Sequence, residues 1–261
     1  MDDHKNILHL ASEFRRNKTG YYCSNIFSVP PTVKQYERAN GAAAFSIDDK
    51  GVERVYFTAD NPEDLAAVLE RFGEGAGIEI IGKTLDDETR NALEKAGFKS
   101  FCVYLRATIP NLKEDIYKNL PERFQGVKCW DYIEYATLDD LDAIYDMLYE
   151  TFKPLTSHLQ DREELKQQIL DKRFVVSRTD GEVSGLMSYE YQGRKLYMEH
   201  AVNRGASINM HAMYFALLEK AIDDGINTAY TWMRDDNDRV LAFTRRYGYV
   251  IEDIKNYVFQ K

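Results

Sequence analysis

The stretch from Lys195 to Tyr249, KLYMEHAVNRGASINMHAMYFALLEKAIDDGINTAYTWMRDDNDRVLAFTRRYGY, constrains the fold most strongly. Residues 196–202 (LYMEHAV) are apolar and β-prone, and Asn203, Gly205, Ser207 and Asn209 then crowd into a loop. From about Met210, the residues Met213, Tyr214, Leu217, Leu218 and Ile222 recur at helical spacing, which predicts a helix that buries one face over three turns. Asp223-Asp224-Gly225 ends it, and Ile226–Met233 returns as a strand. Strand, crossover helix and parallel strand make a βαβ unit whose loop sets backbone N–H groups at a helix N-terminus. The expectation is an anion site, and hence a phosphate-bearing cofactor.

Composition bounds the alternatives. A chain of 261 residues suggests one large or two small domains, and 44% hydrophobic with 30% charged residues is ordinary for a soluble globular protein. The net charge of −9 and the lack of a basic stripe argue against binding to nucleic-acid backbone. Cys23, Cys102 and Cys129 are scattered, without a CxxC pair or a Cys/His cluster, so they are expected as reduced thiols and no metal site is expected. MDDHKNILHLASEFRR lacks a signal-peptide core and no run of 18 apolar residues occurs, so the expectation is a cytoplasmic protein that does not engage a membrane.

In chain order, an amphipathic helix is expected over 4–16 and a strand over 21–27. The β-prone runs 42–47 and 52–58 flank Asp48-Asp49-Lys50-Gly51, a hairpin signal. Asn61-Pro62-Glu63-Asp64 opens a helix, with Asn61 as cap and Pro62 in the first turn. A strand over 78–81, a helix over 86–96 and a strand over 101–109 follow, and residues 110–130, with a short helix at 113–119, connect to a second domain. There a strand is expected over 131–135, Thr137 caps a helix with Asp140 at its third position, a second helix spans 162–170, and a hairpin turns around Thr179-Asp180-Gly181. The halves echo each other: DDETRNALEKAGF (86–98) and DDNDRVLAFTRRYGY (235–249) both run from paired acids through Arg into a short helix closed by Gly and an aromatic residue. This element order predicts an α/β fold with a mixed sheet, built as two related units in tandem.

That order resembles the GNAT superfamily of acyl-CoA-dependent N-acyltransferases. The sharpest match is Asn237 to Tyr249. The family often has Asn, a small residue three on, an apolar one six on, Tyr seven on, and Gly-Phe at eleven and twelve; here Asn237, Val240, Phe243, Thr244, Gly248 and Tyr249 stand there. Thr244 thus replaces the Tyr that commonly serves as general acid. The family's pyrophosphate loop falls on residues 205–210, GASINM, without its later glycines, and Arg204 lies one residue from the expected basic position. The resemblance implies two tandem GNAT-like domains, a degenerate and non-catalytic one over 1–125 and an acyltransferase domain over 126–261.

By the same resemblance, acetyl-CoA or a related acyl-CoA is the co-substrate and the amine of a small molecule the acceptor. Backbone N–H groups of strand 198–202, including Ala201 and Val202, would grip the pantetheine. Arg204, Gly205, Ala206, Ser207, Ile208, Asn209 and Met210 would hold the pyrophosphate, and Asn237 and Phe243 would complete the cofactor side. Asn237 serves equally well as a helix cap. Glu199 is the candidate general base and Tyr247, one turn beyond Thr244, the candidate acid. Strand alternation sets His200 on the face opposite Glu199, as a structural histidine; His158, Tyr189 and Tyr191 are candidates for the acceptor side. The acidic 58–64 stretch, TADNPED, is hostile to a pyrophosphate in the first domain. Thr244 and the missing glycines keep two alternatives open: a catalytically silent CoA-binding or regulatory module of the same fold, or a transferase using another activated donor such as aminoacyl-tRNA. Nothing in the sequence sets the oligomeric state.

Overall fold

The computed structural model describes residues 9, 11–13, 16, 22–24, 32–116, 118 and 122–261. The expected helix over 4–16 and strand over 21–27 lie largely outside them. The chain forms two compact units, Met1–Leu105 with Asp253–Lys261, and Arg106–Glu252. This division differs from the expected boundary at 125/126: the connecting segment goes with the second unit, and the chain's closing residues return to the first.

The first unit contains β1 (Tyr22–Cys23), β2 (Gln35–Ala39), β3 (Ala42–Asp49), β4 (Val52–Ala59), α1 (Pro62–Leu69), β5 (Gly77–Gly82), α2 (Asp87–Lys95), the opening of β6 (Lys99–Ile109) and the end of β12 (Val250–Gln260). The β3–β4 hairpin turns on Lys50 and Gly51, both at positive φ (54° and 85°), as a two-residue turn that matches strand twist requires. Along β3, Ala42 and Ala44 join one core with Phe57 and Leu65, while Ala43, Phe45 and Ile47 join another, the period-2 pattern of a strand covered on both faces. Asn61 Oδ1 caps α1 by accepting from Asp64 N–H at 2.8 Å. β5 pairs parallel with β4 and antiparallel with β12, from Lys255 opposite Gly82 to Gln260 opposite Gly77. β2 carries the polar sequence QYERA, which no hydrophobic alternation announces.

The second unit contains the end of β6, α3 (Leu112–Asp115), β7 (Glu134–Tyr135), α4 (Leu141–Thr151), α5 (Pro154–Ser157), α6 (Arg162–Leu170), β8 (Phe174–Thr179), β9 (Glu182–Gln192), β10 (Lys195–Asn203), α7 (Ser207–Asp223), β11 (Thr228–Arg234), α8 (Asp238–Arg246) and the start of β12. Strands β7 to β10 pair antiparallel in sequence order, and β11 joins β10 in parallel across α7. The Thr137–Asp140 capping box forms as the sequence predicts. The strand expected over 131–135 shortens to Glu134–Tyr135, because Cys129–Asp131 winds into a 3-10 turn. α7 starts at Ser207 rather than Met210, so half of the expected loop is the helix's first turn.

The two units repeat one order: hairpin, crossover helix, parallel strand, short helix. β3-β4-α1-β5-α2 corresponds to β9-β10-α7-β11-α8. Among the described residues, no helix is long and apolar enough to cross a membrane.

Candidate functional site

The site lies inside the second unit, where the parallel pair opens. β10 and β11 are in register only from Lys195–Thr228 to Tyr197–Tyr230, although the strands continue to Asn203 and Arg234. Over the same stretch β10 stays paired with β9, with a register shift between Met198 and Ala201. A bulge inserts a residue and re-aims side chains. A cavity of about 470 Å³ opens beside this segment. β10 contributes Met198, Glu199, His200, Ala201 and Asn203 to it; α7 contributes Ser207, Met210 and Tyr214. From α8 come Asn237, Arg239, Phe243, Thr244 and Arg246, followed by Tyr247 and Tyr249.

Of the residues the sequence singles out, Glu199, Tyr247, Ala201, Ser207, Met210, Asn237 and Phe243 come together around this cavity. The others do not line it. Val202 is buried in the core with Phe174 and Leu186. The Arg204 guanidinium is paired with Glu150 at 2.8 Å. Gly205 is gripped by Asn203, whose Oδ1 accepts its N–H at 3.2 Å, while Asn203 Nδ2 donates to Ala206 O at 3.0 Å. A Cβ on Gly205 would approach Ser184 Oγ at 2.9 Å and Asn209 Nδ2 at 3.0 Å, so a larger residue here would displace those side chains. Ala206 occupies the cap position of α7, Ile208 is half-buried, and Asn209 is buried with its N–H donating to Ala206 O. His158, Tyr189 and Tyr191 also lie outside the lining.

Glu199 and His200 both contribute to the cavity lining, next to the bulge, while burial still alternates along β10, half-buried at Glu199 and buried at His200. Gln160 Nε2 donates to both Glu199 carboxylate oxygens, at 3.2 and 3.3 Å, which fixes the carboxylate. His200 is buried in a neutral hydrogen-bond set. Its Nε2 faces Ser157 O at 3.2 Å, its Nδ1 faces Ser188 Oγ at 3.2 Å, and its N–H donates to that same Oγ. This assigns the Nε2–H tautomer. Burial pushes the imidazole down to about 4. Glu199 Oε2 lies 3.6 Å from Nδ1, a geometry that would favour the imidazolium, but desolvation outweighs it. His200 is therefore a structural residue at the site's edge.

The tyrosine side of the cavity is equally specific. Thr244 Oγ1 donates to Val240 O at 2.7 Å within α8, so its hydroxyl is spent on the helix. Tyr247 Oη lies 3.1 Å from Nδ1 of His211, a buried residue of α7 that Phe124 covers by stacking at 3.7 Å. The Tyr214 and Tyr249 hydroxyls are buried without a hydrogen-bond partner among the described residues, and burial holds the Tyr249 phenol well above its ordinary range. Sequence reasoning missed Arg239 and Arg246, Tyr214 as a lining residue, and two of the three lining methionines, Met187 and Met198, having named Met210. Helical spacing of 239, 243 and 246 on one stripe was the available signal. Among the described residues, no His, Cys, Asp and Glu cluster is suited to a metal ion.

Asn237 Oδ1 accepts from Val240 N–H at 3.2 Å, so it caps α8 while lining the cavity. Asn237→Ala is expected to cost about 1 kcal/mol of stability, read as a lower thermal midpoint that Asn237→Asp restores. An unchanged midpoint in the Ala variant would leave Asn237 a role in the cavity alone.

No protein-family model matches the chain, and no curated protein sequence does. Solved structures match its fold. It is similar to a GCN5-related N-acetyltransferase from Sphaerobacter thermophilus, with TM-score 0.59, 12% identity, and coverage of 85% of this chain and 76% of that one. It is similar to a GCN5-related N-acetyltransferase from Kribbella flavida, with TM-score 0.53, 12% identity, and coverage of 87% and 89%. A tandem GNAT protein from the clavulanic acid biosynthesis pathway matches with TM-score 0.53, 10% identity, and coverage of 85% and 78%. The fold is that of the GNAT superfamily.

Proposed function

We propose that the second unit transfers an acyl group from an acyl-CoA to the amine of a small molecule. The observation that carries this reading is the parting of β10 from β11 beyond Tyr197, which opens a cavity bounded by a fixed carboxylate on one side and a tyrosine hydroxyl on another. The lining fits such a donor: methionines and aromatic rings suit a thin, mostly apolar arm, the bulged strand leaves backbone groups for it, and Arg239 and Arg246 add positive charge. When bound, the acyl-CoA supplies a thioester carbonyl and a thiolate leaving group.

Glu199, oriented by Gln160, takes the proton that the attacking amine must lose. Tyr247 gives a proton to the departing sulfur, and its hydrogen bond with His211 orients the hydroxyl. In the first unit the corresponding helix start is filled by its own acids: Asp64 Oδ2 accepts from Gly41 N–H and Asn61 Nδ2, each at 2.8 Å. A second phosphate site there is disfavoured.

Thr244, which stands where the family's acid usually does and bonds within its own helix, favours a second reading, a CoA-binding module without turnover. Thermal unfolding with acetyl-CoA separates the outcomes. Ligand at about 100 times Kd is expected to add roughly 2.7 kcal/mol, an upward shift of several degrees. A shift with acyl transfer to an amine panel supports the enzyme, a shift with no transfer supports the silent module, and no shift at millimolar ligand sinks both.

A further inference from the structure

The cavity's cationic side chains point to where a donor's phosphates are held, an inference that rests on the acyl-CoA reading above. Two cations line the cavity, Arg239 and Arg246, against one acid, Glu199. Both arginines are exposed, and neither guanidinium has a hydrogen-bond or ion-pair partner among the described residues. Of the other arginines near the site, Arg204 pairs with Glu150 and Arg234 with Asp236 at its own strand end, while Arg245, also exposed and without a partner among the described residues, does not line the cavity. Positions 239 and 246 lie two turns apart on one stripe, about 10 Å along the axis, with Phe243 between them.

Helix electrostatics do not account for this pair. Arg246 stands in the last turn of α8, where the dipole favours a cation, but Arg239 stands in the first turn, where the dipole opposes one. A cation placed there against the dipole, without a carboxylate, is positioned for an anion from outside. Meanwhile the start of α7 has lost two of the means by which such a loop grips phosphate. Arg204 turns to Glu150, and Gly205 N–H is taken by Asn203.

We propose that Arg239 and Arg246 form the phosphate subsite of the donor site, so that the phosphates of the CoA nucleotide are held chiefly from α8 instead of from the loop at residues 205–210. Long guanidinium arms allow bidentate contact with each phosphate, and Phe243 gives the intervening sugar or base an apolar surface.

The test is calorimetric titration of the full chain and its Arg239→Gln, Arg246→Gln and Arg204→Gln variants with CoA, dephospho-CoA and pantetheine. CoA is expected to bind the unaltered chain more tightly than dephospho-CoA. Arg239→Gln and Arg246→Gln are each expected to weaken CoA about tenfold, as loss of a charge-assisted contact at an exposed site implies, and at least one is expected to narrow the CoA/dephospho-CoA ratio. Pantetheine affinity and the thermal midpoint stay unchanged, and Arg204→Gln binds CoA as the unaltered chain does. Unchanged CoA affinity in both α8 variants, with CoA bound by the unaltered chain, overturns the subsite and leaves the donor reading standing. Equal weakening of all three ligands also overturns it, because the arginines then support the helix. No binding of any of the three compounds to the unaltered chain overturns the donor reading and the subsite together.

Discussion

Glu199→Gln is expected to lower kcat/KM for acyl transfer by about 10²- to 10⁴-fold, the range for loss of a general base, with donor affinity and thermal midpoint nearly unchanged. The substitution keeps the size of the side chain and removes its capacity to accept a proton. The site selects Glu199 because it lines the cavity within the bulge between Met198 and Ala201 and Gln160 holds both its oxygens. His200 does not replace it: its ring nitrogens are committed to Ser157 and Ser188. Steady-state kinetics at saturating donor, together with calorimetric donor affinity, decide the matter. A variant that keeps the full rate removes Glu199 from the chemistry, and one that loses donor binding as well marks it as a contact for the bound ligand.

Stability is expected to fall as the pH is lowered from about 6.5 to about 4, by on the order of 3 kcal/mol from His200 alone. In the unfolded chain this imidazole takes its proton near its ordinary value. In the folded chain burial delays protonation until about 4. Within that window the unfolded state binds more protons, so acid favours unfolding; above the window His200 adds no slope. The groups facing the ring are the Ser188 hydroxyl, the Ser157 carbonyl, the Phe152 ring and the Glu199 carboxylate. His158 adds a smaller repulsion against the imidazolium. Thermal midpoints between pH 4 and 7 should drop toward acid, and His200→Gln should flatten this part of the profile. An equal slope in the variant would assign the acid sensitivity to other groups.

Much of the scaffold was legible because it rests on local rules. Asn61-Pro62 and Thr137 with Asp140 announce helix starts, and the chain uses both. Asp49-Lys50-Gly51 announces a hairpin, and the positive φ values at Lys50 and Gly51 bear it out. The α7 periodicity and the apolar runs around it give the parallel β10–β11 pair. What escaped depends on partners distant in sequence. Arg204 lies one residue from where a basic residue is wanted, but Glu150 of α4 pairs with it, and no local pattern reveals that pairing. That Glu199 and His200 both reach the cavity lining, beside a bulge set by how β10 meets β9, is not visible in the strand's own sequence. Arg239 was legible only as the Arg of the repeated acid-to-Arg pattern, because its significance depends on the cavity beside α8. The polar strand β2 gave no hydrophobic signal, being set by backbone pairing with β3.

The last strand carries a consequence for how the molecule is made. β5 pairs along six positions with the part of β12 that belongs to the first unit. Its residues leave the ribosome long before those partners are synthesised, because the entire second unit comes between them. During that interval β5 has no β12 to pair with, and an unpaired strand edge is a template for another chain. The unit translated first is thus the one completed last. Crowded synthesis, or a stall within the second unit, would therefore expose the first unit's sheet to mispairing, while the unit with the cavity has all its own residues in hand once Glu252 has emerged.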